Sequence, residues 1–96
     1  MIYVDSGRVP FRGFRMSHLV ADTSAELEEF AADLDLAPEW VQFPGTYREH
    51  FDVCDTRRIQ AIALGARTVT AREMGRILAK KRRNLAAQAA AAGGGS

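Results

Sequence analysis

Residues 50–69 read HFDVCDTRRIQAIALGARTV, and this stretch decides the fold. Side chains alternate along a strand, so Phe51 and Val53 take one face of a short strand and His50, Asp52 and Cys54 the other. Asp55 or Thr56 then opens a helix predicted near 56–65, with Ile59, Ile62, Ala63 and Leu64 as its apolar positions and Gly65 as its stop. Arg67-Thr68-Val69 reads as a second short strand. A parallel pair joined through a helix crosses over right-handed, as nearly all such units do. A His-x-Asp pair on a half-buried strand is the most chemically suggestive feature of the chain.

Working outward, Met1–Val4 reads as a strand that ends at Asp5. Residues 6–14, with Gly7, Pro10 and Gly13 among arginines, read as a loop. Ser17–Ala21 reads as a strand with His18, Val20 and Asp22 on one face and Leu19 and Ala21 on the other. Thr23-Ser24-Ala25-Glu26 is a capping box, opening a helix near 23–35 that buries Leu27, Phe30, Ala31 and Leu34. Pro38 forces an end or a restart. Residues 39–49 are irregular and hold Trp40, Phe43 and Tyr47, which wall a pocket or form a satellite core. Thr70–Glu73 is a second capping box, before a helix near 71–83 with Met74, Ile77 and Leu78 inside. The expected fold is α/β: a small mixed sheet of three or four strands with about three helices in one domain, residues 1–84. The Ala-rich run from Leu85 into GGGS is expected to be a flexible, disordered tail over 85–96.

Ninety-six residues allow one domain with a small core. No apolar run approaches the roughly 18 residues that a membrane span needs. With Asp5 so early, the N-terminus is not expected to be a signal peptide. One cysteine, Cys54, excludes an internal disulfide and fits a reducing, cytoplasmic setting; it reads as a small buried hydrophobe and not as a nucleophile. The net charge of +1 hides an asymmetry: residues 1–56 hold 4 Lys+Arg and 11 Asp+Glu (−7), and residues 57–96 hold 9 and 1 (+8). The block Lys80-Lys81-Arg82-Arg83 suits phosphate backbones or an acidic protein partner; cations also gather at helix C-termini because the macrodipole favours them there.

IYVD at the start, SHLVADTSAELEEFA, the Trp40-x-Gln42 step, HFD, and AIALGA followed by TAREMGRIL together resemble the bacterial and phage domain of unknown function 4031. The resemblance runs from about residue 1 to about residue 79, in order and at similar spacing. It implies a fold-length frame and no activity. Where that family shows a second acid after YVD, HYD, and ELH in the first helix, this chain has Ser6, Phe51 and Glu28. If the family's extra acid and histidine belong to a site, the set here is reduced.

The polar candidates are Asp5, His18, Asp22, His50, Asp52 and Asp55. Imidazole and carboxylate together suit acid–base work near neutral pH or a divalent ion. His18, His50 and Asp52 are the candidate catalytic residues; Asp5, His18, His50 and Asp52 are the candidate ligands for Mg²⁺, Mn²⁺ or Zn²⁺, as in a metal-dependent hydrolase or nuclease-like enzyme. Trp40 or Tyr47 is expected to wall the same concavity. Asp5, Asp22 and Asp55 each close a strand-like run, and would converge if those strands ran parallel. No HxxH, HExxH or CxxC spacing is present. Helix capping accounts equally for Asp22 and Asp55, and a buried polar network accounts for the histidines with Asp52. A rival function is nucleic-acid binding: residues 60–78 resemble a helix-turn-helix, which would place Arg72 and Arg76 in a major groove with Lys80, Lys81, Arg82 and Arg83 on phosphates. A third is an interaction module or homo-oligomer that pairs the acidic half of one copy with the basic helix of another.

Overall fold

A computed structural model describes residues 1–7 and 9–94 of the chain, so Arg8 in the predicted loop and residues 95–96 of the predicted tail lie outside the described residues. The described residues form five strands and three helices: β1 (Ile2–Asp5), β2 (Val9–Phe11), β3 (Phe14–Ala21), α1 (Ser24–Asp33), β4 (Phe51–Cys54), α2 (Asp55–Ala63), β5 (Arg67–Val69) and α3 (Ala71–Gly94), with a 3₁₀ turn at Pro38–Trp40. It is an α/β fold on one mixed sheet.

β3 is the centre of the sheet. Leu19 pairs with Val4 on β1 and with Phe51 on β4, so β3 lies between them, antiparallel to both. β5 pairs parallel with β1. Hence β1, β4 and β5 share one direction, and α2 links β4 to β5 as the 50–69 stretch predicts. Met16 pairs with both Val9 and Cys54, so β2 takes over from β1 along the same edge of β3. The edge is longer than β3 between the Val4–Leu19 and Val9–Met16 pairs, which makes a bulge after Val4, at Asp5.

The two sheet faces carry different loads. Val4, Leu19, Ala21, Phe51 and Val53 meet Leu27, Ala31 and Leu34 of α1 and Ala61 of α2 in the main core. Val20 and Val69 meet Met74 of α3 on the other face, with Tyr3, Ile77 and Leu78 packed around them. Both capping boxes form: Glu26 N–H donates to Thr23 Oγ1 (3.2 Å) and Glu73 N–H to Thr70 Oγ1 (3.1 Å). In the second the reciprocal bond is present too, from Thr70 N–H to Glu73 Oε1 (3.2 Å).

Several expectations are corrected. Residues 9–11 form a strand because the Arg12-Gly13 turn, with both φ positive, folds them back on β3; Pro10 is tolerated there as in an edge strand. The inner face of α2 is not the Ile59, Ile62, Leu64 set, all of which are exposed; Ala61 alone is fully buried, with Arg57 and Arg58 half-buried beside it. A small residue lets this short helix sit close on the sheet. The helix-turn-helix reading fails, since its supposed turn is β5 in the sheet, and α2 and α3 pack on opposite faces. The acids at strand ends do not converge as a trio. β3 runs against β1 and β4, which puts Asp22 at the far end from Asp5 and Asp55.

α3 runs well past residue 83, to Gly94. Alanine is the best helix former, so nothing local stops the run before the glycines. Every described side chain from Arg82 to Gly93 is exposed, however. An unpacked helical overhang of this length is marginal in water. We expect amide hydrogens of residues 89–94 to exchange with little protection. Deleting residues 89–96 should shift unfolding by no more than about 0.5 kcal/mol. Strong protection throughout 86–94 would show a rigid arm instead.

A candidate metal centre on the α3 face

Three of the four predicted ligands meet on the α3 side of the sheet. His18 lies opposite Asp52 across the β3–β4 ladder, and His50 directly precedes β4. The His18 and His50 rings stand edge to face, with centroids 5.0 Å apart. One ligand atom from each of His18, His50 and Asp52 lies within 4.8 Å of the others. Nε2 of His50 is 3.3 Å from Asp52 Oδ1, and Nε2 of His18 is 4.0 Å from the same oxygen.

The remaining ring nitrogens have fixed partners. His18 Nδ1 donates to Asp5 Oδ2 at 2.7 Å, and His50 Nδ1 donates to the Arg48 carbonyl at 2.7 Å. A carboxylate and a carbonyl can only accept, so both rings hold a proton on Nδ1 and turn Nε2, a lone pair whenever the ring is neutral, toward Asp52. Asp5 therefore stands behind His18 and outside the convergent set. Its position comes from the bulge: Asp5 Oδ1 accepts from the His18 amide at 3.0 Å, and the Gly7 amide adds a third bond. Arg58 reaches from α2 to the Asp5 carbonyl (3.0 Å) and pins the same corner.

Burial alone would raise the pKa of Asp5, which is only 5 % exposed. The bonds from the His18 ring and amide outweigh it and leave the carboxyl below its ordinary value. The same bond to Asp5 raises His18 above its usual 6.5 against some desolvation, and the charges of Asp5 and Asp52 act in the same direction. His18 thus stabilises the metal-free fold fully below about pH 6.5 and loses that contribution as pH rises through its folded value. Asp5 contributes above its unfolded 3.8 and loses it as pH falls through a value lower still. In the presence of a chelator, stability should be greatest between about pH 4 and 6.5 and decline toward pH 8. Urea midpoints across that range check this, and His18→Gln should flatten the alkaline decline.

A groove of about 290 Å³ opens beside the histidines, between the sheet and the first two turns of α3. Arg48, Met74, Gly75 and Leu78 line it together with Asp5, His18 and His50. A Cβ on Gly75 would meet nothing within 4 Å, so the groove is open at this point. Trp40 and Tyr47 do not line it, contrary to expectation. Trp40 is 57 % exposed on the 3₁₀ turn, and the Tyr47 ring lies under Arg82, 5.6 Å from its guanidinium carbon. Arg48, which the sequence did not single out, supplies the wall, and its guanidinium rests on Phe43 at 4.2 Å. Its carbonyl orients His50, a role with no side-chain signature.

The other polar candidates are placed elsewhere. Asp22 does not cap α1; it accepts from the Tyr3 hydroxyl (3.1 Å) and pairs with the Met1 ammonium (3.5 Å). Asp55 is the first residue of α2, and its Oδ1 is buried without a partner among the described residues. Cys54 is half-buried at the start of that helix. Of the basic block, Arg72, Arg76, Lys80, Arg82 and Arg83 are exposed, but Lys81 is buried. Among the described residues no helix is long and apolar enough to cross a membrane. Glu28, where the resembled family has a histidine, lies on α1 across the sheet from His18.

No curated protein and no solved structure matches the chain. The family described as protein of unknown function (DUF4031) matches residues 2–81, and with that span of its 96 residues covered the chain belongs to this family.

Proposed function

We propose that His18, His50 and Asp52 hold a divalent transition-metal ion, and that the chain is a metal-dependent hydrolase of an anionic substrate. One observation carries this reading: both imidazoles have Nδ1–H committed to an acceptor behind them, leaving Nε2 of each, the ligand atom of a neutral ring, aimed at one carboxylate. At 3.3 Å a neutral His50 Nε2 and Asp52 Oδ1 are both electron donors, so a cation, a proton or a metal ion, is what joins them, and the two histidines facing one carboxylate suit the metal ion. Ligand atoms around a tetrahedral zinc stand about 3.3 Å apart, which the His50–Asp52 separation already meets; the other two need a small inward turn. The Asp5–His18 and Arg48–His50 bonds are the outer supports that metal-binding histidines characteristically have.

Two imidazoles and one carboxylate favour Zn²⁺ or Mn²⁺ over Mg²⁺, which prefers oxygen ligands and its own water. Three protein ligands leave positions for substrate and water, as in catalytic sites. When bound, the ion supplies Lewis-acid activation. Arg48 then offers positive charge to the substrate, and Met74 and Leu78 exclude water along its apolar part. Calorimetric titration of the metal-free protein with Zn²⁺, Mn²⁺ and Mg²⁺ tests the reading. One Zn²⁺ or Mn²⁺ per chain, with Mg²⁺ much weaker and bis(p-nitrophenyl) phosphate hydrolysed only with metal, is the expected result. Absence of binding by all three ions would leave the histidines as a polar packing network.

A further inference from the structure

A second cavity, of about 320 Å³, lies at the sheet end where β3 finishes and β4 begins, between the start of α1, residues 45–49 and α3. Lys81 lines it and is only 7 % exposed. Among the described residues its ammonium has no hydrogen bond and no ion pair within 4.0 Å. Glu49 and Asp22 line the same cavity but have other hydrogen-bond partners: Glu49 accepts from Ser24 Oγ (2.7 Å) and the Gly45 amide (2.9 Å), and Asp22 accepts from the Tyr3 hydroxyl (3.1 Å) and pairs with the Met1 ammonium (3.5 Å). Burial lowers the Lys81 pKa from its ordinary 10.5, and the charges of Glu49 and Asp22 offset only part of that. A lysine side chain this deeply buried, with only its ammonium tip open to a polar cavity, is stabilised by an anion in that cavity.

The start of α1 opens into the same space at Thr23 and Ser24. The Glu26 amide goes to Thr23 Oγ1 and the Leu27 amide to the Thr23 carbonyl. The amides of Ser24 and Ala25 have no acceptor among the described residues, and they lie at the positive end of a ten-residue helix. The side-chain amides of Asn84 and Gln88 complete the α3 wall. We propose that this cavity binds a small oxyanion, the phosphate or carboxylate group of a small molecule, between the Lys81 ammonium and the first amides of α1. The volume is at the lower end of ordinary small-molecule sites. The site lies further along the same face of α3 than the histidine groove and shares no lining residue with it.

Lys80 and Lys81 are the only lysines in the sequence, so their side-chain NMR signals form an internally referenced pair. Inorganic phosphate and, separately, acetate are titrated into the full chain. The expected result is a saturable shift of the Lys81 side-chain signal and of the Ser24 and Ala25 amides, with Lys80 still. The Lys81 titration midpoint should move upward when the anion is bound, because the anion favours the charged form. Response to phosphate with acetate silent assigns a phosphoryl ligand, and the reverse assigns a carboxylate. Lys81→Met, which keeps the length and apolar stem, should weaken binding by at least about tenfold, while Lys80→Met should not. Equal shifts at both lysines, unchanged binding in Lys81→Met, or no shift with either anion would overturn the proposal.

Discussion

Replacing Asp52 by asparagine is expected to weaken Zn²⁺ binding by at least about a hundredfold without unfolding the domain. The substitution keeps size and shape and removes only the negative charge on which both Nε2 atoms converge. Asp52 is 42 % exposed at its side chain, so the fold does not depend on its ionised form. Changes to outer supports of metal sites commonly cost about 10–100-fold in affinity, and a direct charged ligand should exceed that range. Asp5→Asn should fall inside it. That variant keeps one acceptor oxygen for His18 but not two, and at a buried position it should also cost about 1–3 kcal/mol of stability. The two variants therefore separate: Asp52→Asn loses metal with stability kept, and Asp5→Asn loses some of both. Calorimetry and urea unfolding read the two effects independently. Wild-type affinity in Asp52→Asn would sink the metal assignment.

The meeting of His18, His50 and Asp52 was legible because strands have a period of two. HFDVC alternates polar and apolar, and in SHLVAD the period of two sets His18, Val20 and Asp22 opposite Leu19 and Ala21, so the histidines and Asp52 share the face away from the main core once the two strands pair. That argument located His18, His50 and Asp52 without any metal motif. It could not say that Asp5 would serve His18, because this depends on a bulge that redirects a carboxylate into the gap between β1 and β2. Nor could it find Arg48, which acts on His50 through a main-chain carbonyl. The periodicity of α2 misled in the other direction. Ile59 and Ile62 form an apolar stripe, yet the close approach of helix to sheet selects Ala61 and the stems of Arg57 and Arg58. Lys81 looked like one cation in a solvated run; its burial follows from residues 45–49 folding over α3, a long-range contact with no local mark. The tail was expected to be disordered from its composition, yet alanine favours helix, and α3 runs through the alanines to Gly94.

Phe51→Ala should be the most destabilising single change, at about 3–5 kcal/mol. Phe51 is the largest of the fully buried side chains, 2 % exposed in the main core beside Leu19 and Val53. A loss of that size is a large share of the about 5–15 kcal/mol that holds an ordinary domain together. The same residue lies between His50 and Asp52 in sequence and anchors the strand that presents them. If those side chains bind metal only when β4 is in place, metal binding must draw the equilibrium back toward the fold. Zn²⁺ at about a hundred times its dissociation constant should then restore about 2.7 kcal/mol to Phe51→Ala. The rescue should vanish when Asp52→Asn is added, and Mg²⁺ should provide little of it. Unfolding curves of the single and double variants, with metal and with chelator, measure this directly. Equal rescue with and without Asp52→Asn would mean that the ion acts elsewhere on the chain, and the centre on the α3 face would have to be given up even if Zn²⁺ binds.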